Sequence, residues 1–152
     1  MAGEHGMWRK SNFYEQSARI PMIISWPGAL PAGRRVTETV SLVDLVATVV
    51  DIAGAPAVAP MDGDSLLKLA AGSAVDWKDM AFSEYLAHGV IRPMAMLRRG
   101  RFKLNYSLDD PVELYVGERL IARGELQEMD GPNAGQLSVR LTEVVNEPAE
   151  TE

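Results

Sequence analysis

The feature that most limits the fold of this chain is a run of apolar residues at helical spacing in its first half. The run consists of Leu42, Leu45, Val46, Val49, Ile52 and Ala53, which recur three and four positions apart. Ser41 and Asp44 are placed as a capping pair at its start, and Gly54 with Pro56 would end it. The opposite side is apolar too, through Val43, Ala47 and Val50. We therefore expect a helix that packs on more than one side.

A short apolar run, Ile20 to Trp26, precedes this helix and is closed by Pro27-Gly28. Such a run is typical of a strand buried on both faces of a largely parallel sheet. Pro21 is compatible with a strand only near its start or at an edge. The stretch from Ala29 to Arg35 that follows is predicted to be a surface loop.

The second half of the chain changes from helical to strand-like patterns. A short helix from Ser65 to Ala71, stopped by Gly72, comes first. Three strands are predicted after it: Met80 to Tyr85, Met94 to Arg99 and Arg101 to Tyr106. Arg99-Gly100 is the predicted turn of a hairpin between the last two strands.

A final amphipathic helix is predicted near the end of the chain. Its apolar positions are Ala134, Leu137, Leu141, Val144 and Val145. The resulting fold class is mixed α/β, with a small antiparallel sheet subdomain packed by this C-terminal helix. The expected division is an α/β part over residues 1–75, the antiparallel subdomain over 76–147 and a loose tail over 148–152.

Composition excludes several classes of partner. The 152 residues carry a formal net charge of -6, which argues against nucleic acid or an anionic membrane as the main partner because both require a basic face. The chain has no cysteine, so disulfides, thiolate metal sites and a cysteine nucleophile are excluded. No run approaches the roughly 18 apolar residues of a membrane helix. The cytoplasm is the default expectation.

Four blocks of sequence, in this order, resemble sulfatases of the alkaline-phosphatase-like superfamily. They are Gly3-Glu4-His5-Gly6-Met7-Trp8-Arg9-Lys10 with Phe13 to Pro21, then Ser41 to Gly54, then Met61-Asp62-Gly63-Asp64-Ser65-Leu66-Leu67, and finally Met96 to Leu104 with Glu113-Leu114-Tyr115. The resemblance covers roughly residues 3 to 115 and implies the carboxy-terminal part of a sulfatase fold. Glu84-Tyr85 and Pro93 to Gly100 look most like the choline-sulfatase branch. One departure is Val116-Gly117, where sulfatases usually continue with Asp-Leu.

The resemblance also implies a chemistry. A sulfatase uses a formylglycine, made from Cys or Ser in a Cys/Ser-x-Pro/Ala-x-Arg motif, whose hydrate attacks sulfur, and it holds a divalent cation, commonly calcium. No such motif occurs in these 152 residues, and the metal ligands of the family belong upstream of Gly3. We therefore expect a truncated chain that is inactive alone and carries no cofactor itself, with Met1 as an internal methionine of a longer relative.

Three residues are candidates for the site. Lys10 falls where sulfatases place a lysine that contacts the sulfate ester, and an ammonium there would stabilise the charge that builds on the bridging oxygen. The alternative is an ordinary surface lysine. Glu84 could face a quaternary ammonium or be an exposed strand carboxylate. His88 is a candidate for a substrate-facing loop, with a plain loop histidine as the alternative, and His5 is expected to be a loop histidine.

A second reading makes the chain a non-catalytic interaction module. It would pair with itself as a homo-oligomer, or complete a separate amino-terminal sulfatase half. The reason is that a strand such as Ile20 to Trp26 without neighbours would leave edges and apolar faces uncovered. Arg98, Arg99, Arg101 and Lys103 are predicted to form a solvated hairpin face, and Asp62 and Asp64 to shape a turn.

Overall fold

The computed structural model describes residues 2–8, 10–56, 59–73, 76–86 and 92–145. The helices are α1 (Glu15–Ala18), α2 (Leu42–Ile52) and α3 (Leu67–Ala71), with single 3-10 turns at Glu4–Gly6 and Gly131–Asn133. The strands are β1 (Met80–Tyr85), β2 (Met94–Arg99), β3 (Phe102–Ser107), β4 (Val112–Val116), β5 (Arg119–Glu128) and β6 (Leu137–Val144). Within these residues, no helix combines the length and apolarity needed to cross a bilayer.

The strands form one six-stranded antiparallel sheet in which each strand lies beside the next one along the chain, from β1 to β6. Arg99 pairs with Phe102 across the β2–β3 hairpin, and Gly100 in the turn has a φ of 52°, a value that glycine adopts without strain. This hairpin and the three predicted strands are confirmed. The mixed α/β class is confirmed as well.

The predicted C-terminal helix is wrong, because the segment that was to form it is strand β6. It pairs with β5 over its length, with Arg140 beside Glu125 and Leu141 beside Gly124. A spacing of four residues fits a helix but is also a multiple of the two-residue repeat of a strand. Pairing with β5 decides between the two periods, and cross-strand ion pairs of Arg140 with Glu125 and of Arg123 with Glu143 accompany it.

The predicted buried strand from Ile20 to Trp26 is also wrong for the described structure. These residues form no strand, and the Ile23 side chain is 91% exposed. A strand needs a neighbour to receive its backbone hydrogen bonds. Among the described residues none supplies that ladder to this segment.

The chain divides into two compact units, Pro21–Ala81 and Met1–Ile20 with Phe82–Glu152. The second unit therefore contains the amino-terminal segment as well as the sheet from Phe82 of β1 onward. Its buried apolar side chains are Phe13, Met96, Val112, Tyr115 and Ala122. The boundaries predicted at residues 75 and 147 for the longer fold stay predictions.

In the first unit, α2 buries its polar side. Asp44 and Thr48 are almost fully buried, whereas Leu42, Val43, Leu45, Val46 and Val49 are exposed. The capping box of Ser41 and Asp44 is present, and α3 ends at Gly72 as predicted. The prediction that this helix packs on more than one side is wrong for the described residues.

Candidate functional site

Lys10 lies exposed on the amino-terminal segment of the sheet unit. The segment begins with a tight turn, in which the Gly3 amide donates to the Met7 carbonyl at 3.0 Å and His5 adopts a left-handed φ of 53°. The His5 ring stacks on Tyr14 at 4.2 Å between ring centroids. His5 is thus a loop histidine, and its ring packs the turn against the residues that follow Lys10.

The residues after Lys10 are held by the sheet through a buried ion pair. The Lys103 Nζ of β3 donates to Glu15 Oε1 at 2.8 Å and to the Phe13 carbonyl at 3.0 Å. Arg98 of β2 reaches the same Glu15 oxygen at 3.0 Å. The Lys103 side chain is only 2% exposed. The predicted solvated hairpin face is therefore wrong for Lys103 and for the partly buried Arg98.

An aromatic pair extends this anchor across the sheet. Lys103 Nζ lies 5.0 Å from the centroid of the Tyr115 ring, and Tyr14 packs edge-on against Tyr115 at 6.5 Å. The Tyr115 hydroxyl donates to Glu113 Oε2 at 2.6 Å. Burial, and then the hydrogen bond to the Glu113 carboxylate, raise the pKa of Tyr115 well above its usual range. This phenol remains a hydrogen-bond donor at physiological pH.

A cavity of about 670 Å³ lies between the amino-terminal segment and the sheet, within the size range of small-molecule sites. Its lining includes Met7, Asn12, Tyr14, Met94, Asn105 and Tyr106. The charged groups of the lining are paired, Arg92 with Asp110 at 2.8 Å and Arg123 with Glu113 at 3.6 Å. The Asn105 Oδ1 atom is buried without a hydrogen-bond partner in the described part of the chain.

Glu84 is exposed on strand β1, and His88 lies outside the described residues. Among the residues that the structure describes, no hydrogen bond or ion pair joins Lys10 to Glu84. The roles assigned to Lys10, Glu84 and His88 stay predictions.

Divalent cations in proteins are held by groups of oxygen or imidazole ligands. Within the described ranges, no cluster of three or more His, Asp or Glu side chains has the geometry of a metal site. The calcium that the resemblance implies stays an expectation about intact relatives.

The Pro21–Ala81 unit contains a separate buried charge, Asp44. Its carboxylate accepts hydrogen bonds from the Ser41 amide at 2.7 Å, the Asp64 amide at 3.0 Å and Lys78 Nζ at 2.7 Å. Burial acts to raise the pKa of Asp44, but these hydrogen bonds outweigh it and lower the pKa below its usual value. Asp64 directly follows the bend at Asp62 and Gly63. These contacts join the start of α2 to the loop at Asp64 and to Lys78 beyond α3, within the same unit, so Asp44 is a structural residue.

Comparison with known proteins decides the family. The family described as "N-sulphoglucosamine sulphohydrolase, C-terminal" matches residues 3–143. The chain belongs to this sulfatase family. Its match extends beyond the Gly3 to Tyr115 range in which the sequence resemblance was found, and it includes β5 and β6.

The relatives of this sulfatase chain are much longer proteins. A choline-sulfatase of Rhizobium meliloti is 38% identical over 118 residues, which is 76% of this chain and 22% of that protein. An arylsulfatase K of Canis lupus familiaris is 44% identical over 79 residues, which is 52% of this chain and 14% of that protein. A solved structure of BT4656 with its substrate D-glucosamine-2-N,6-O-disulfate has a TM-score of 0.64 and 29% identity, and covers 76% of this chain and 25% of that one. The chain thus spans about a quarter or less of these relatives.

The sequence did not reveal the role of Lys103. It lies in a group of basic residues around the hairpin turn, Arg98, Arg99, Arg101 and Lys103, and such a group is more typical of a solvated face than of a buried ion pair. Its partner Glu15 lies 88 residues away in sequence, so no local pattern connects the two residues.

Proposed function

We propose that this chain forms the carboxy-terminal part of a sulfuric-ester hydrolase that cleaves sulfate monoesters. The observation that carries the proposal is the family match over residues 3–143, together with the names of the relatives, which are sulfatases. Lys10 contacts the sulfate ester, where its ammonium stabilises the negative charge on the bridging oxygen as the S–O bond breaks. Its exposed position on an anchored segment supports that role.

The chain by itself does not turn over sulfate esters in this proposal. Its sequence has no Cys/Ser-x-Pro/Ala-x-Arg motif to provide the formylglycine. The nucleophile and the metal ligands would come from the part of a sulfatase that this chain does not match.

A chimera tests the proposal. The matching 118-residue region of the Rhizobium meliloti choline-sulfatase is replaced by this chain, and hydrolysis of choline sulfate and of an aryl sulfate is measured. We expect the chimera to be active, and Lys10→Ala to lower kcat by about 100-fold through loss of one charge-stabilising group. Lys68→Ala, which removes an exposed lysine of α3, is the matched control and should leave kcat unchanged.

Two outcomes would contradict the proposal. Equal kcat for Lys10→Ala and Lys68→Ala in an active chimera would remove Lys10 from the site. Metal-dependent hydrolysis by the pure isolated chain would show that the chain needs no second part.

A second candidate function is an interaction module, and the exposed apolar side of α2 favours it. Val46 is 61% exposed and Val49 is 57% exposed, which is unusual for adjacent turns of one helix in an isolated soluble unit. We propose that this side and the exposed residues of Ile20 to Trp26 are covered by a second copy, or by the amino-terminal half of a sulfatase. An upstream open frame with a Cys/Ser-x-Pro/Ala-x-Arg motif would favour the second partner.

A further inference from the structure

We propose that Lys103 and Glu15 are positioning residues that fix the Lys10 segment on the sheet. The consequence for sulfate contact rests on the function proposed above for Lys10. The anchoring itself is a property of this chain, and it can be tested without any activity.

The first argument is the burial of Lys103. Its side chain is 2% exposed and that of Glu15 is 6% exposed, so neither charge is solvated by water. A buried ammonium needs partners for its charge, and the partners of Lys103 are Glu15 Oε1 and the Phe13 carbonyl, at 2.8 and 3.0 Å. Both hydrogen bonds go to the amino-terminal segment.

The second argument is that β3 does not need Lys103 for its own pairing. The register of β3 with β2 and β4 is set by backbone pairs such as Leu97 with Leu104 and Leu104 with Leu114. The Lys103 ammonium instead links positions 88 and 90 residues apart in sequence. Its loss should release the segment and leave the sheet paired.

The third argument is that Glu15 gathers two cations. Arg98 Nη1 donates to the same Oε1 atom at 3.0 Å, and Arg98 Nε donates to the Gly100 carbonyl in the hairpin turn. Glu15 therefore joins the amino-terminal segment to both β2 and β3. Since Lys10 is close in sequence to Phe13, fixing Phe13 and Glu15 also limits where the Lys10 ammonium can lie.

The experiment measures amide hydrogen exchange on the full chain and on Glu15→Gln, Lys103→Met and the double variant. In wild type, the Ser17, Ala18 and Arg19 amides are bonded to the Tyr14 and Glu15 carbonyls. We expect each single variant to speed exchange of these amides at least tenfold, while the β3 and β4 amides keep their protection. The double variant should exchange no faster than the faster single variant, because neither buried charge is then left unpaired. Lys68→Met is the matched control.

A second readout reports position rather than stability. The chain has no cysteine, so nitroxide labels can be attached at two introduced cysteines, Lys10→Cys and Gln127→Cys on exposed β5. We expect a narrow distribution of label distances by pulsed electron resonance in this background. The distribution should broaden when Lys103→Met or Glu15→Gln is added, and stay narrow with Lys68→Met.

The outcomes separate this inference from the proposed function. Unchanged exchange of residues 17–19 and an unchanged distance distribution in both single variants would overturn the anchoring. Loss of protection throughout the sheet in both variants would make the pair a general stabiliser and would overturn it too. If amide protection throughout the sheet is lost only in Lys103→Met, the Glu15→Gln variant tests the anchoring. Its amide exchange at residues 17–19 and its distribution of label distances are then the two readouts. If Lys10→Ala leaves the kcat of the chimera unchanged, the proposed function of Lys10 fails. The amide exchange and the label distances expected here do not depend on that result.

Discussion

At the scale of single residues, Asp44 shows how polar groups replace apolar packing in this chain. It is the least exposed residue of α2, and its carboxylate serves the helix start through Ser41 and the following loop through Asp64. Thr48, one turn later, accepts a hydrogen bond from the Leu66 amide at 2.9 Å. Gly63 lies so close that a Cβ there would be 2.2 Å from the Val43 carbonyl oxygen. The loop is therefore fixed by directional bonds and close backbone contact.

Stability should depend on pH through Asp44. Its pKa is lowered on folding from an ordinary 3.8, so its contribution to the free energy of unfolding is complete above that value and is lost as pH falls through the lower folded pKa. Asp44→Asn should destabilise the chain by roughly 3 kcal/mol at neutral pH, because Lys78 loses its buried partner. In this variant, the free energy of unfolding should also fall less steeply as the pH drops below 3.8. Urea unfolding at several pH values measures both effects, and Asp62→Asn in the same loop is the control. If the free energy of unfolding of Asp44→Asn falls with pH as steeply as that of the wild type, the acid dependence does not come from Asp44.

The sequence predicts the capping pair of Ser41 and Asp44 but not the burial of Asp44. The apolar residues of the helix are predicted to pack on more than one side. The structure places the polar side inward because three backbone amides and Lys78 converge on it. Ser41 supplies one of these amides from the helix start, but Asp64, Leu66 and Lys78 lie outside the local helical pattern.

At the scale of elements, the partner strand decides what a local pattern leaves open. The β2–β3 hairpin could be predicted because Gly100 marks its turn and both strands are strand-like on their own. β6 could not, because Leu137, Leu141 and Val144 fit a helix equally well and the partner that selects the strand is β5. Ile20 to Trp26 shows the converse, since a strand-like run forms no strand where the described residues provide no partner.

A glycine in β5 permits the close approach of β6. Gly124 lies at the register shift of this pair, and a Cβ there would be 2.5 Å from the Arg140 carbonyl oxygen. Gly124→Ala should cost about 1–3 kcal/mol through overcrowding and should speed amide exchange in β6 before it affects β3. Gln127→Ala, at an exposed position of the same strand, should do neither. Equal protection of β6 in Gly124→Ala and Gln127→Ala would show that the strands do not approach this closely.

At the scale of the whole molecule, the balance between buried and exposed apolar surface is unusual. Several large apolar side chains of α2 are exposed, and so are Ile20, Ile23 and Trp26. The relatives are four or more times longer than the region matched here, since the matched share of each is 25% or less. Surface of this kind is what an interface or a further domain would cover.

Self-association of the purified chain is the corresponding prediction. We expect a defined oligomer by light scattering coupled to size-exclusion chromatography, and a shift toward monomer in Val46→Glu/Val49→Glu, because two carboxylates would be desolvated at the contact. Ser73→Glu/Gln136→Glu adds the same charge at exposed polar positions outside the proposed contact and is the control. A wild-type chain that is monomeric at micromolar concentration would contradict self-association and favour a separate amino-terminal partner.

The order of the strands along the sheet has a consequence for how the molecule is made. Since every strand pairs with its neighbour in sequence, the sheet can assemble from short loop closures, which are the fast steps of folding. The Lys103 contacts to Phe13 and Glu15 instead close loops of 90 and 88 residues, and they require β3 to exist first. We therefore expect the amino-terminal segment to dock onto the finished sheet as the last step of folding. It should detach from the sheet as the first step of unfolding.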